Sequence, residues 1–336
     1  MKLKELLISL GYTEEDYEII RNAFPMSTLK EETLYKNVKR NYDFLISLGY
    51  SKEEIIKMTK NSPQIYAYSV ENIKQKLEDM ISLGYSKEEV IKMTKSVHHI
   101  YSNSIENIKQ KLEDMILLGY SKEEVIKMTK ILPQIYGISI ENIKQKLEDM
   151  ILLGYSKEEV IKMTKNKPAI YSYSIENIKQ KLEDMIALGY SKEEAIQMTK
   201  SLPSIYSISI ENIKQKLEHI VLLGYSKEEA IQMTKSLPQI YGYSIENIKQ
   251  KIDFYDSINM HDLAVIHPKL LMQSTALSYA RYMFYKEKGI DINMDNYIKL
   301  FMNSKKFEKQ YGLTKEELLK KNDNNKTLEE RGIAKW

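Results

Sequence analysis

The chain has 336 residues, 50 lysines and arginines against 47 aspartates and glutamates, a net charge of +3 and no cysteine. That balance argues against a ligand held by bulk positive charge. The lack of thiols excludes disulfide frameworks, thiolate zinc sites and cysteine nucleophiles, and suits the cytoplasm or another reducing compartment. No apolar run approaches the ~20 residues of a membrane span, so no membrane partner is expected.

At the N-terminus, Leu7-Ile8-Ser9-Leu10-Gly11-Tyr12-Thr13-Glu14-Glu15 anticipates Leu45-Ile46-Ser47-Leu48-Gly49-Tyr50-Ser51-Lys52-Glu53. The chain therefore opens on a degenerate repeat, which leaves no room for a targeting presequence. From there Gly49, Gly84, Gly119, Gly154, Gly189 and Gly224 recur every 35 residues inside nearly constant surroundings. A fixed period of this size marks a stacked array, and a stacked array favours a binding surface over a catalytic pocket.

The unit at 86–120 shows the elements. Ser86 stands three residues before Glu89, the spacing of a capping box, and Val90, Ile91, Met93 and Thr94 follow as a short apolar face ended by Lys95. Glu88 and Lys92 lie one turn apart on the opposite, solvated side. In most copies a proline then stops the helix (Pro63, Pro133, Pro168, Pro203, Pro238) and opens a short turn carrying Ile-Tyr. Ser104 caps a second, longer helix with an apolar stripe of Ile105, Ile108, Leu112, Met115 and Ile116, and Gly119 ends it. Lys109 and Lys111 flank that stripe. The prediction is an all-α superhelical solenoid of tandem 35-residue units, each a helix, a short proline-started turn of helix and a longer helix. Residues 1–50 read as an N-terminal cap, 51–250 as the regular array, 251–320 as degenerate C-terminal repeats and 321–336 as a solvated tail, with Trp336 docking on the last helix.

A single unit is nearly neutral, with five lysines against five acids in 86–120, and arginine is confined to Arg21, Arg40, Arg281 and Arg331. Any basic surface must come from sorting charges onto faces. Two lysine rows are candidates for phosphate contact. One closes the first helices (Lys60, Lys95, Lys130, Lys165, Lys200, Lys235) and the other borders the longer helices (Lys76, Lys111, Lys146, Lys181, Lys216, Lys251). Variation between copies concentrates at the turn. The residue after the proline position reads Gln64, His99, Gln134, Ala169, Ser204 and Gln239, and polar variation at one place per repeat is what a base-reading position needs. Drift at a tolerant turn explains it too. The turn tyrosines (Tyr66, Tyr101, Tyr136, Tyr171, Tyr206, Tyr241) read as core more readily than as base-stacking platforms. His98 and His99 have no companion ligands, so no metal is expected, and nothing points to a cofactor or a catalytic residue.

The ordered unit Pro-x-Ile-Tyr-x-x-Ser-Ile-Glu-Asn-Ile-x-x-Lys-Leu-Glu-x-Met-x-x-Leu-Gly-Tyr-Ser-x-Glu-Glu resembles the repeat of the mitochondrial transcription termination factor (mTERF) family. His267-Pro268-Lys269-Leu270-Leu271, Ser274, Arg281 and Lys288-Gly289-Ile290 are similar to the family's closing repeats. The resemblance implies a curved helical array without enzymatic activity. It implies binding of double-stranded DNA or structured RNA along a basic path, and the expectation is a monomer, with DNA favoured over RNA, that modulates transcription. The near-identity of the copies and the scarcity of arginine depart from the family pattern. A protein-binding scaffold is the competing reading, favoured by the neutral repeats. Pentatricopeptide arrays share the period but lack a recurring mid-unit proline.

Overall fold

Local capping starts every first helix of the array. In one copy the Ser121 N–H donates to Glu124 Oε2 (3.0 Å) and the Glu124 N–H donates to Ser121 Oγ (3.2 Å). The same reciprocal box stands at Ser51, Ser86, Ser156, Ser191 and Ser226. The longer helices begin at serines whose hydroxyls accept an amide three residues on, as at Ser104 and Ser139 (3.1 Å each). They end where glycine turns left-handed. Gly119 has φ 113°, which lets the Tyr120 N–H reach back to Met115 O at 3.3 Å. Between the two helices, Pro133–Gly137 forms a single 3-10 turn that buries Ile135 and Tyr136.

The computed structural model describes residues 2–23, 25–97, 100 and 104–323. His98, His99, Tyr101 and Trp336 lie outside them. Contacts divide the chain into two units, residues 1–175 and 176–336. The first holds α1 (Leu3–Leu10), α2 (Glu14–Asn22), α3 (Glu31–Ser47), α4 (Lys52–Asn61), α5 (Val70–Leu83), α6 (Lys87–Ser96), α7 (Ile105–Leu117), α8 (Lys122–Ile131), α9 (Ile140–Leu153) and α10 (Lys157–Asn166). The second holds α11 (Ile175–Leu188), α12 (Lys192–Ser201), α13 (Ile210–Leu222), α14 (Lys227–Ser236), α15 (Ile245–Ser257), α16 (Leu263–Ile266), α17 (Thr275–Glu287), α18 (Ser304–Tyr311) and α19 (Lys315–Asp323). No strand occurs among the described residues. The fold is the all-α solenoid of helix, proline turn and longer helix that the period predicts.

Each apolar stripe is completed by the next repeat. Ile108, Leu112 and Met115 of α7 share one core with Val125 and Met128 of α8 and with Ile135 and Ile143 beyond it. A buried polar node holds neighbouring repeats in register within each unit. The Tyr120 hydroxyl lies 2.5 Å from both Thr164 Oγ1 and the Tyr171 hydroxyl of the following repeat. Tyr85 with Thr129 and Tyr136 repeats the node in the first unit, and Tyr190 with Thr234 and Tyr241 repeats it in the second. At the N-terminal end Tyr12 does the same with Thr59 and Tyr66, despite a longer connection. Most turn tyrosines are thus core residues, buried at Tyr66, Tyr136, Tyr171 and Tyr241 and half-buried at Tyr206.

The C-terminal end changes the letters but keeps the logic. Pro268–Met272 is again a 3-10 turn, followed by α17. Arg281 of α17 is buried. Its Nη1 donates to Leu300 O (3.0 Å) and its guanidinium lies over Phe307 (5.0 Å), within a cluster of Phe284, Tyr285 and Tyr311. This arginine closes the last core and is withheld from any surface.

Candidate nucleic-acid interface

The two lysine rows meet different fates. The first row bridges repeats. Lys95, Lys130 and Lys165 reach the third residue of the preceding first helix, pairing with Glu54, Glu89 and Glu124 at 2.8, 2.8 and 2.6 Å. Lys235 pairs likewise with Glu194 (2.7 Å), and Lys60 with the buried Asp16 (2.6 Å). Lys200 is also engaged. The lysine hydrogen bond holds the carboxyls of Glu54, Glu89, Glu124 and Glu194 below the ordinary glutamate range. The side chains of Lys95, Lys130, Lys165 and Lys235 stay about one-third exposed.

The second row turns inward. Lys111 and Lys146 donate to the carbonyls of Ile138 and Tyr173, the residues that end the next repeat's proline turn. Lys181 makes the same bond to Ile208 O, Lys216 donates to Tyr241 O, and Lys251 reaches Gln273 O at 2.7 Å. Lys76 is engaged as well. A 3-10 turn leaves its last carbonyls without an internal partner, and these lysines supply one. Burial pushes Lys76, Lys111, Lys181, Lys216 and Lys251 below the ordinary lysine pKa. Asn41 performs the task at the start of the stack, donating to Ile65 O (2.9 Å) and Tyr68 O (2.8 Å).

A third row was not singled out from the sequence. Lys57, Lys92, Lys127 and Lys162 sit at the middle of the solvent face of α4, α6, α8 and α10, and all four are exposed. Their ammonium groups make no ion pair or hydrogen bond among the described residues. The Glu88–Lys92 neighbours do not close into a salt bridge, and the Ser86 capping bonds go to Glu89. The signal that could have found this row is a substitution pattern. The equivalents in α12 and α14 are Gln197 and Gln232, so the charge is dispensable to the fold.

Helix by helix, charge is sorted. α4, α6, α8 and α10 each carry three lysines against two glutamates. α5, α7 and α9 each carry two lysines against three acids, and one of those lysines faces inward. Within residues 52–166 the first helices form the basic layer and the longer helices the acidic one. Around the turns the post-proline residues vary in access. Gln134 is exposed, while Gln64, Ala169, Ser204 and Gln239 are half-buried, and His99 falls outside the described residues. Gln134 borders a groove of about 510 Å³, shared with Ser139, Asn142, Lys146, Asp149 and Ser172.

The mTERF family profile matches residues 3–152 and again residues 149–308, almost the whole chain. The chain belongs to the mTERF family. No curated protein sequence matches it. Membership makes this mTERF chain a nucleic-acid-binding helical repeat protein, of a family generally without catalytic activity. Among the described residues, no helix of this mTERF protein is long and apolar enough to cross a membrane, and no group of His, Asp and Glu is disposed to hold a metal ion.

Proposed function

We propose that this mTERF protein binds double-stranded DNA, or structured RNA, through the first-helix layer of residues 52–165, as a non-catalytic monomer that modulates transcription. The charge sorting carries the reading. Lys57, Lys92, Lys127 and Lys162 form a row of unpaired cations, and the partly exposed, ion-paired Lys60, Lys95, Lys130 and Lys165 run beside them. Equivalent side chains on packed helices recur at roughly 8–10 Å, a spacing that a phosphate backbone can follow. The carbonyl-bound lysines of the second row support the stack, and phosphate contact falls to the other two rows. Lys200 and Lys235 hold the equivalent places in the second unit, where glutamines replace the third row. The ends, 1–50 and 251–320, serve as caps.

Sequence reading belongs to the turns. Gln64, Gln134, Ala169, Ser204 and Gln239, with His99 as their sequence equivalent, offer one variable side chain per repeat, and Gln134 borders a polar groove. That is the arrangement modular nucleic-acid readers use.

The test is fluorescence anisotropy of labelled duplex DNA, duplex RNA and single strands across a salt series. Each lysine–phosphate contact contributes about −0.9 to the slope of log K against log salt on duplex DNA. Replacing Lys57, Lys92, Lys127 and Lys162 by glutamine, as the protein itself does at Gln197 and Gln232, reduces the slope by about 3–4. A salt response unchanged by the four substitutions, or no binding to any probe at low salt, would refute the proposal.

A further inference from the structure

On α7 and α9 the solvent-facing ridge carries leucines that the fold does not use. Leu117 is 81% exposed and Leu152 is 82% exposed. The preceding copy, α5, has Ser82 at this position, so the helix forms and stacks without a leucine there. An apolar side chain bared to this extent gains nothing from the hydrophobic effect until something covers it. Two stand in consecutive repeats, on helices that pack against each other. Ile116 and Ile151 beside them are exposed as well.

What flanks the leucines names the occupant. One turn before Leu117 lies Glu113, and one turn before Leu152 lies Glu148. Glu106 and Glu141 continue the same faces toward the helix starts. All four are exposed and make no ion pair among the described residues. The ridge is therefore apolar at one end and carries two glutamates per helix along the rest against one exposed lysine, Lys109 or Lys144, so its net charge is negative and disfavours a nucleic-acid backbone or an anionic lipid surface. Neighbouring helices pack roughly 8–10 Å apart. A helix laid across them advances about 10.5 Å in seven residues, so an apolar residue at every seventh position meets Leu117 and then Leu152.

We infer that the outer ridge of α7 and α9 is a docking surface for a basic amphipathic helix of a partner protein, its apolar stripe on Leu117 and Leu152 and its cations on Glu113 and Glu148. The surface lies on the acidic longer-helix layer, so the inference is independent of the nucleic-acid reading.

The experiment uses the full chain and two synthetic helical peptides. Both carry leucine at every seventh position. One has lysines on either side of that stripe, and the other has glutamates in the same places. The lysine peptide binds, and the L117S/L152S protein loses about tenfold or more of its affinity, as expected when two leucines leave an apolar contact. The glutamate peptide does not bind. Serine already stands at 82, and an unchanged circular dichroism spectrum verifies that the variant is folded. The inference is overturned if the lysine peptide fails to bind, if it binds the variant as tightly as the parent, or if the glutamate peptide binds equally well. It is also overturned if the parent, and not the variant, sediments with phospholipid vesicles.

Discussion

The buried hydroxyl node between repeats yields the sharpest prediction. Tyr120 is 2% exposed, and its hydroxyl lies 2.5 Å from Thr164 Oγ1 and from the Tyr171 hydroxyl. Thr164 Oγ1 also lies 2.8 Å from Val160 O, which can only accept. Each hydroxyl has one proton, so the node is a directed chain. Tyr171 donates to Tyr120, Tyr120 to Thr164, and Thr164 to Val160. Tyr120→Phe breaks the chain in the middle. It strands the buried Tyr171 donor, at about 1–3 kcal/mol, and removes one bond to Thr164, at about 1 kcal/mol, for roughly 2–4 kcal/mol in all. Tyr171→Phe removes the terminal donor and strands nothing, at about 1 kcal/mol. The double variant has no stranded donor, so it is expected to be no less stable than Tyr120→Phe alone. Urea unfolding of the parent, both singles and the double closes the cycle, and hydrogen exchange of α8 and α10 amides localises the effect. If the two single losses simply add, the hydroxyls do not act as one chain and the argument fails.

Three further outcomes follow from the same geometry. Lys111→Met leaves the Ile138 carbonyl unpartnered and destabilises by about 1–3 kcal/mol without changing the salt slope of nucleic-acid binding, whereas Lys127→Gln changes the slope and leaves the urea midpoint in place; a reversed pattern would mean the two rows have exchanged roles. Gly119→Ala forces a side chain into φ 113° and places Cβ 3.0 Å from Ile161 Cδ1, so its thermal midpoint falls by the equivalent of about 1–3 kcal/mol, while Gly242→Ala, with open space around it, is much milder. Burial raises the Tyr12 hydroxyl from 10.0 to about 12 and pushes Tyr85, Tyr120 and Tyr241 well above the ordinary tyrosine value. A folded pKa above the unfolded one gives stability that is complete below pH 10 and lost as pH rises toward the folded value, so the last part of the tyrosinate absorbance, that of the buried hydroxyls, is expected to appear together with loss of helicity above pH 10, and ionisation of all the tyrosines in a fully helical protein contradicts the buried node.

The repeat, its caps and its turn were legible because each is encoded within a few residues. Ser121 and Glu124 meet across one helical turn, Gly119 answers its own φ, and Pro133 lacks its own N–H. The core character of the turn tyrosines was legible too, since a constant aromatic in a stack has a neighbour to fill. The lysines were not, because a lysine at the edge of an apolar stripe reads the same whether its ammonium group turns outward or inward.

By itself, then, the sequence determined the element order and the family, since these rest on contacts three to five residues apart or on the period. Only the tertiary structure decided which charges are available to a ligand. Lys130 meets Glu89 across 41 residues and Lys111 meets the Ile138 carbonyl across 27. Those separations become contacts only when one repeat is laid against the next, and the unclaimed row at Lys57, Lys92, Lys127 and Lys162 is what that stacking leaves in solvent.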